Sequence, residues 1–175
     1  MKQEETMMND GVRWVGRFVF LALFQIFILN NIQLAGYLNP YLYVLFILSL
    51  PANTNRFYLL LWAFAMGLLI DIAENSGGAH ISASLTLAFI RPYLYRFVVP
   101  PSQQEVNRIS LWTMGPTRFF TYVTLGVFIH HLWLFSVEAF SFREIFSIFS
   151  RTLVSAPITL LMIYITQLFV YREEA

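Results

Sequence analysis

The chain has 175 residues, of which 58% are hydrophobic, 18% aromatic and 12% charged, with a mean hydropathy of +0.62 and a net charge of +1. Soluble domains carry about 25% charged residues, so this composition points to a polytopic membrane protein with no soluble module. The small net charge provides no footprint for nucleic acid, and the absence of cysteine excludes disulfides, thiol catalysis and zinc–thiolate sites.

Met1–Val12 is polar and predicts a disordered tail ahead of a single transmembrane domain, 13–175. A spanning helix needs about 20 mostly apolar residues, and Trp14–Ile32 supplies the first. It follows Arg13 and Arg17 and runs into Asn30-Asn31-Ile32-Gln33 without a small-x-small cleavage site, so it reads as a retained helix and not a signal peptide. Leu38–Leu50 is short, opened by Asn39-Pro40 (a cap followed by proline at the first helical position) and closed by Pro51. Phe57–Ile72 is the third segment. Ala79–Val99 is the fourth, broken at Arg91-Pro92.

After Pro100-Pro101, the string Ser102-Gln103-Gln104-Glu105 is an S-x-x-E capping box. It leads into Val106, Ile109 and Thr113 at helical spacing with Trp112 alongside, which predicts a short helix on the cytoplasmic face ended by Gly115-Pro116. Arg118–Phe140 is the fifth span. A second capping box, Ser141-Phe142-Arg143-Glu144, places Phe142, Ile145, Phe146 and Phe149 on one face. That face belongs to a helix in the outer interface or to the bent start of the last span, Leu153–Tyr171, in which Pro157 predicts a kink. The fold class is an all-α integral membrane protein, a bundle of six transmembrane helices.

Arginine placement supports counting the short second segment. With six crossings and both termini cytoplasmic, the inside receives Lys2, Arg13, Arg17, Arg56, Arg96, Arg108, Arg118 and Arg172, and the outside only Arg143 and Arg151. This is a positive-inside pattern. If Leu38–Leu50 dipped in and returned, Arg56 and the cluster Arg96–Arg118 would lie outside. A distorted second helix is permitted where its neighbours shield it from lipid.

Two polar features stand inside this apolar frame. Asp71 ends the string Gly67-Leu68-Leu69-Ile70-Asp71, and Arg91-Pro92 lies within the fourth segment. A charge at bilayer depth costs from about 3 to above 10 kcal/mol unless it finds a partner or water. One reading is an ion pair between them. Arg91 lies roughly 18 Å along its helix, so a pair requires the flexible loop Asn75-Ser76-Gly77-Gly78-Ala79 to dip inwards. The other reading is architectural: Asp71 caps a helix or meets interfacial water, and Arg91 bonds carbonyls freed by Pro92. Polar residues often hold membrane helices together, which favours the second. Ala63, Ala65 and Gly67 form a small-residue stretch that lets another helix approach closely.

Catalytic and metal chemistry find little footing. His130-His131 is mid-helix with Glu138 one heptad beyond His131, but adjacent helical residues point about 100° apart and no third ligand is near. The expectation is that one of these histidines bonds a neighbouring helix. Ser76, Ser82, Ser84 and His80 lie in no G-x-S-x-G elbow, and no carboxylate relay runs through the bundle. No cofactor, metal or catalytic residue is expected. Eighteen phenylalanines, nine tyrosines and four tryptophans supply large faces for lipid or for another membrane helix.

Six hydrophobic segments, the Asn39-Pro40-Tyr41 opening of a short second helix, Gly67-Leu68-Leu69-Ile70-Asp71, a glycine-bearing loop and Arg91-Pro92 together resemble the rod shape-determining protein MreD family over about Phe18 to Tyr171. The resemblance implies a fold similar to the S components of energy-coupling-factor transporters. It also implies a place in the bacterial cytoplasmic (inner) membrane, in the elongation machinery that builds lateral peptidoglycan and sets rod cell shape. Its implied partners are MreC, MreB, RodA and the class B penicillin-binding protein, and it brings no catalytic residue. Asp71, Arg91, Pro92 and Gly67 match motif positions and are expected to organise the bundle, while Phe142, Phe146 and Phe149 are the candidate contact for MreC. A vitamin-binding S component is the alternative function.

Overall fold

The structure, a computed structural model, describes residues 2–32, 40–104, 108–140 and 144–170, with side chains placed for residues 11–169 within those ranges. The helices are α1 (Lys2–Phe27), α2 (Val44–Ser49), α3 (Arg56–Glu74), α4 (Ala79–Val98), α5 (Leu111–Met114), α6 (Pro116–Ala139) and α7 (Ile145–Val170), with 3-10 turns at Leu29–Asn31 and Pro101–Gln103. No strand occurs among the described residues. The expected N-terminal tail is instead helical, continuous with α1, because Lys2-Gln3-Glu4-Glu5 and Met7-Met8 are good helix formers.

Among the described residues, four stretches are long and apolar enough to cross a membrane: Gly11–Asn31, Arg56–Glu74, Pro116–Ala139 and Ile145–Phe169. The other two expected spans differ from these for separate reasons. Helix α2 has 6 residues, all buried. At 1.5 Å per residue it is about 9 Å long against a hydrocarbon core of about 30 Å, so it does not cross by itself.

Helix α4 has 20 residues, enough to cross, but its polar content lowers its hydropathy. It packs between α3 and α6 with His80, Ser84 and Arg91 on its buried face. Phe89, Tyr93 and Phe97, spaced at i, i+4 and i+8, form the exposed face at 60%, 49% and 81%. The helix is polar inside and apolar outside. That is the stable arrangement where lipid replaces water around a bundle. It also runs unbroken through Arg91-Pro92, contrary to the expected interruption. Proline removes one intrahelical hydrogen bond, and neighbouring helices hold the remainder in place.

The second segment departs from its expected opening. Helix begins at Val44, four residues after Pro40, which is therefore not its first helical residue, and Asn39 lies outside the described residues. Side chains from two other helices bond the backbone of the segment that precedes it. Gln25 Nε2 donates to Pro40 O at 3.0 Å, Tyr43 N donates to Gln25 Oε1 at 3.4 Å, and Tyr41 N donates to Thr159 Oγ1 at 3.1 Å.

Helix α5 likewise starts later than expected. Its capping box is Ser110 with Thr113; the expected box of Ser102 with Glu105 cannot be placed on it, as Glu105 and Val106 lie outside the described residues. Gly115 ends it at φ 76, as its sequence position implied. The 142–149 region resolves toward the last span: Ile145–Val170 is one helix that includes Pro157, and Ser141–Arg143 lie outside the described residues.

Candidate functional site

The buried polar groups gather around the non-helical segment 40–43 and the two ends of its neighbours. Asp71, 6% exposed, sits near the end of α3 and faces the start of α4. Its Oδ1 accepts from His80 N at 3.0 Å and from the Ser76 hydroxyl, and its Oδ2 accepts from Ile81 N at 2.8 Å. The first N–H groups of a helix have no intrahelical partner and carry the positive end of its dipole. Gly78, at the N-cap of α4, has no side chain to meet them. Asp71 therefore caps α4 from another helix, with the sign of charge that the dipole favours.

Arg91 performs the opposite task. Its Nη2 donates to Leu50 O and, at 3.2 Å, to Pro51 O, while its Nε donates to Leu48 O at 3.4 Å and to the Tyr122 hydroxyl at 3.1 Å. Tyr122 in turn donates to Leu48 O at 3.0 Å. Leu48 O and Leu50 O lie at the C-terminal end of α2, where a cation complements the dipole, while Pro51 O just beyond it also accepts from Thr54 N and Oγ1. Arg91 bonds carbonyls as expected, but those of α2 and not those freed by Pro92. Of the two readings, the architectural one describes the structure: Asp71 and Arg91 each close a helix end, and neither is the other's partner.

All three histidines of the chain face the same segment. His80 Nε2 lies 3.0 Å from Glu74 Oε2, and its Nδ1 lies 2.8 Å from the Tyr43 hydroxyl. That hydroxyl lies 2.7 Å from His130 Nε2. A carboxylate accepts only, so His80 Nε2 donates to Glu74, and His80 Nδ1 and His130 Nε2 share the Tyr43 hydroxyl. His130 Nδ1, at the end of this chain, is buried and has no hydrogen-bond partner among the described residues. His131 is spent elsewhere, on Val127 O at 2.9 Å and Thr159 Oγ1 at 3.1 Å. Both members of the pair thus join other segments, where one was expected to. Glu138 meets Arg151 at 2.7 Å instead of a histidine. Among the described residues, no group of three His, Asp or Glu side chains converges as a metal site.

Gly67 explains how α3 and α4 approach this closely. A Cβ there would stand 2.6 Å from Ile81 Cα and 2.8 Å from His80 O, both backbone atoms. The glycine and Ala63 one turn earlier are buried, so the small-residue stretch is a helix contact inside the bundle. Phe146 and Phe149 are 88% and 50% exposed near the start of α7, and Phe142 lies outside the described residues.

Four residues of the polar frame went unnoticed in the sequence: Gln25, Tyr43, Tyr122 and Thr159. Gln25 is 1% exposed and joins α1 to segment 40–43 by two hydrogen bonds, with a third to Asn30 Oδ1 at 2.9 Å. Its signal was available, since it is a lone amide within the apolar run Trp14–Ile32. Thr159 and Tyr122 are similarly isolated polar atoms in apolar runs, but such residues also face lipid or bond their own helix, and spacing does not separate these outcomes.

Comparison with protein-family models, with curated proteins and with solved structures finds no match for this chain.

Proposed function

We propose that this chain is a non-enzymatic membrane scaffold of the MreD kind, supporting lateral peptidoglycan synthesis and rod shape by holding MreC within the elongation complex with MreB, RodA and the class B penicillin-binding protein. In this reading the chain crosses the bacterial inner membrane six times with both termini cytoplasmic. Helix α4, which turns one apolar face outward, and the buried segment 40–50 are the other two crossings.

One observation supports the reading above others. Five of the motif positions among the described residues fall at joints between helices. Gly67 seats α4 on α3, Asp71 caps α4, Arg91 closes α2, and Pro40-Tyr41 is held by Gln25 and Thr159. A motif whose residues are consumed in holding the bundle together suits a protein that works through its outer surface. The vitamin-binding alternative would require such polar groups to face a ligand, whereas Asp71, His80 and Tyr43 bond one another's segments.

The test is expression in a rod-shaped bacterium depleted of its own MreD, with recovery of MreC on the tagged chain. Restored rod shape and co-purified MreC are the expected outcome, with MreC lost in Phe146→Arg. If MreC is recovered equally with Phe146→Arg, the α7 contact is wrong; if neither shape nor MreC is recovered with the wild-type chain, the scaffold reading is. A vitamin retained in stoichiometric amount by the purified protein in native mass spectrometry would favour the alternative.

A further inference from the structure

The polar joint around Tyr43 contains a group that the frame does not use. Ser84 lies one turn past His80 on the buried face of α4. Its hydroxyl is buried beside that of Tyr43, yet makes no hydrogen bond among the described residues. The Tyr43 oxygen thus has three polar neighbours: His80 Nδ1 at 2.8 Å, His130 Nε2 at 2.7 Å and the idle Ser84 hydroxyl. A phenol has one hydrogen to give and two lone pairs with which to receive. It can give its hydrogen to Ser84 only when both imidazole nitrogens donate to it.

Donor counting ties this condition to a proton. His80 Nε2 donates to Glu74 Oε2 at 3.0 Å, and the Glu74 side chain is 20% exposed where that of His80 is 0% exposed, so the carboxylate is the edge of the site that water reaches. When the His80 ring carries this one N–H, its Nδ1 takes the Tyr43 hydrogen and Ser84 is left with nothing to accept. When the ring carries a second proton, Nδ1–H donates to the Tyr43 oxygen. With His130 donating from Nε2, the Tyr43 hydrogen then turns to Ser84 Oγ. A buried hydroxyl without a partner is costly, and the second state supplies one.

The groups packed against His80 leave Glu74 as its counter-charge. From α3 come Glu74 and Asp71, and Asp71 is committed to the backbone N–H groups of His80 and Ile81. Segment 40–43 brings the phenols of Tyr41 and Tyr43, and α6 brings His130 and, against the Tyr41 ring, His131. Helix α2 carries no titratable side chain, and Arg151 of α7 is matched by Glu138.

We propose that Glu74, His80, Tyr43 and Ser84 form a proton-binding site, which seats one proton on His80 and thereby tightens segment 40–43 against α4. The step is the addition of one proton from water to the second ring nitrogen of His80; apart from that N–H bond, only hydrogen bonds change. In the loaded site Tyr43 is tied to α4 through both His80 and Ser84, and to α6 through His130. In the unloaded site the Ser84 tie is missing. Acidity on that side of the membrane is thus coupled to the seating of segment 40–43. This assignment is independent of the scaffold reading.

The chain has three histidines, so labelling histidine alone with ¹⁵N in the purified full-length protein leaves three rings to follow by NMR in detergent micelles. Between about pH 8 and about pH 5, the span in which imidazole changes charge, the His80 ring is expected to gain a second N–H. Glu74→Gln should lower the ratio of charged to neutral His80 about tenfold at a given pH. Ser84→Ala removes a hydroxyl that bonds nothing at neutral pH and should fold as the wild type does. Amide protection at residues 41–44, corrected for the intrinsic effect of pH, should rise on acidification in the wild type and in Glu138→Gln, and stay flat in Ser84→Ala and Glu74→Gln. A His80 ring that keeps a single N–H to about pH 5, or that charges equally in Glu74→Gln, would overturn the site. An equal rise of protection in Ser84→Ala would overturn the tightening of segment 40–43.

Discussion

Asp71 holds Ile81 N at 2.8 Å, and Arg91 lies ten residues farther along that same helix, about 15 Å away, where it closes α2. One helix, α4, is thereby capped at its start by an anion from α3 and supplies midway the cation that caps another. The two charges have separate partners and separate costs of removal. This arrangement separates two mutants that a direct ion pair would have coupled.

Replacing Asp71 by alanine removes an acceptor from two backbone N–H groups and a hydroxyl, and should cost about 1–3 kcal/mol. Asp71→Asn keeps one acceptor oxygen and should cost less. The double exchange Asp71→Arg with Arg91→Asp is expected to be worse than either single change, because each new charge meets the wrong end of a helix. Unfolding in detergent micelles measures all three. Recovery of stability in the double exchange would show that the two residues pair after all.

Arg91→Met should leave the Leu50 carbonyl without this donor and the Tyr122 hydroxyl with one bond fewer, while Pro51 O keeps its bonds from Thr54, again a loss of about 1–3 kcal/mol. Arg91→Lys is expected to retain little of this. A single ammonium does not reproduce a fork that reaches Leu48, Leu50, Pro51 and Tyr122 together. Tyr122→Phe should cost less than Arg91→Met, since Arg91 still reaches the α2 carbonyls. Amide exchange in residues 44–49 is the sharper readout, and unaltered protection there in Arg91→Met would contradict the cap.

Gly67→Ala places a methyl within 3.0 Å of α4 backbone atoms, which have no rotamer in which to move aside. The helices must separate or shear, at a cost of about 1–3 kcal/mol. Gly126→Ala meets only the Leu48 side chain, at 2.7 Å, and should be tolerated better because a leucine end can rotate. Comparison of the two melting temperatures decides the matter, and equal losses would mean that the kind of atom met, backbone or side chain, does not set the cost.

Tyr43→Phe removes the hydroxyl shared by His80 and His130 and leaves His80 Nδ1 and His130 Nε2 unpaired, so stability should fall by about 1–3 kcal/mol. Combining it with His130→Phe should cost less than the sum of the two, because both changes cut the same bond. Strict additivity in that double-mutant cycle would deny the contact.

Much of the frame was legible before any coordinate. Hydropathy located the four long apolar helices because a lipid-facing surface must be apolar whatever the protein does, and the Gly67 and Asp71 positions announced themselves as a small residue and a charge where neither is cheap. Arg91-Pro92 marked α4 as unusual but suggested a break that did not occur. A missing hydrogen bond weakens a helix without ending it when neighbours enclose it. The late start of α2 could not be read from Asn39-Pro40, since it depends on Gln25 and Thr159, which are 15 residues or more distant in sequence and reach segment 40–43 only after folding.

The sequence by itself determined that this chain is built for a membrane, which stretches bear the lipid, and which few residues are too polar to stand there unassisted. The tertiary structure decided the partner of each. A buried charge selects among all the unsatisfied backbone groups that packing brings within reach, and their identity depends on distances across the bundle, not on spacing along the chain.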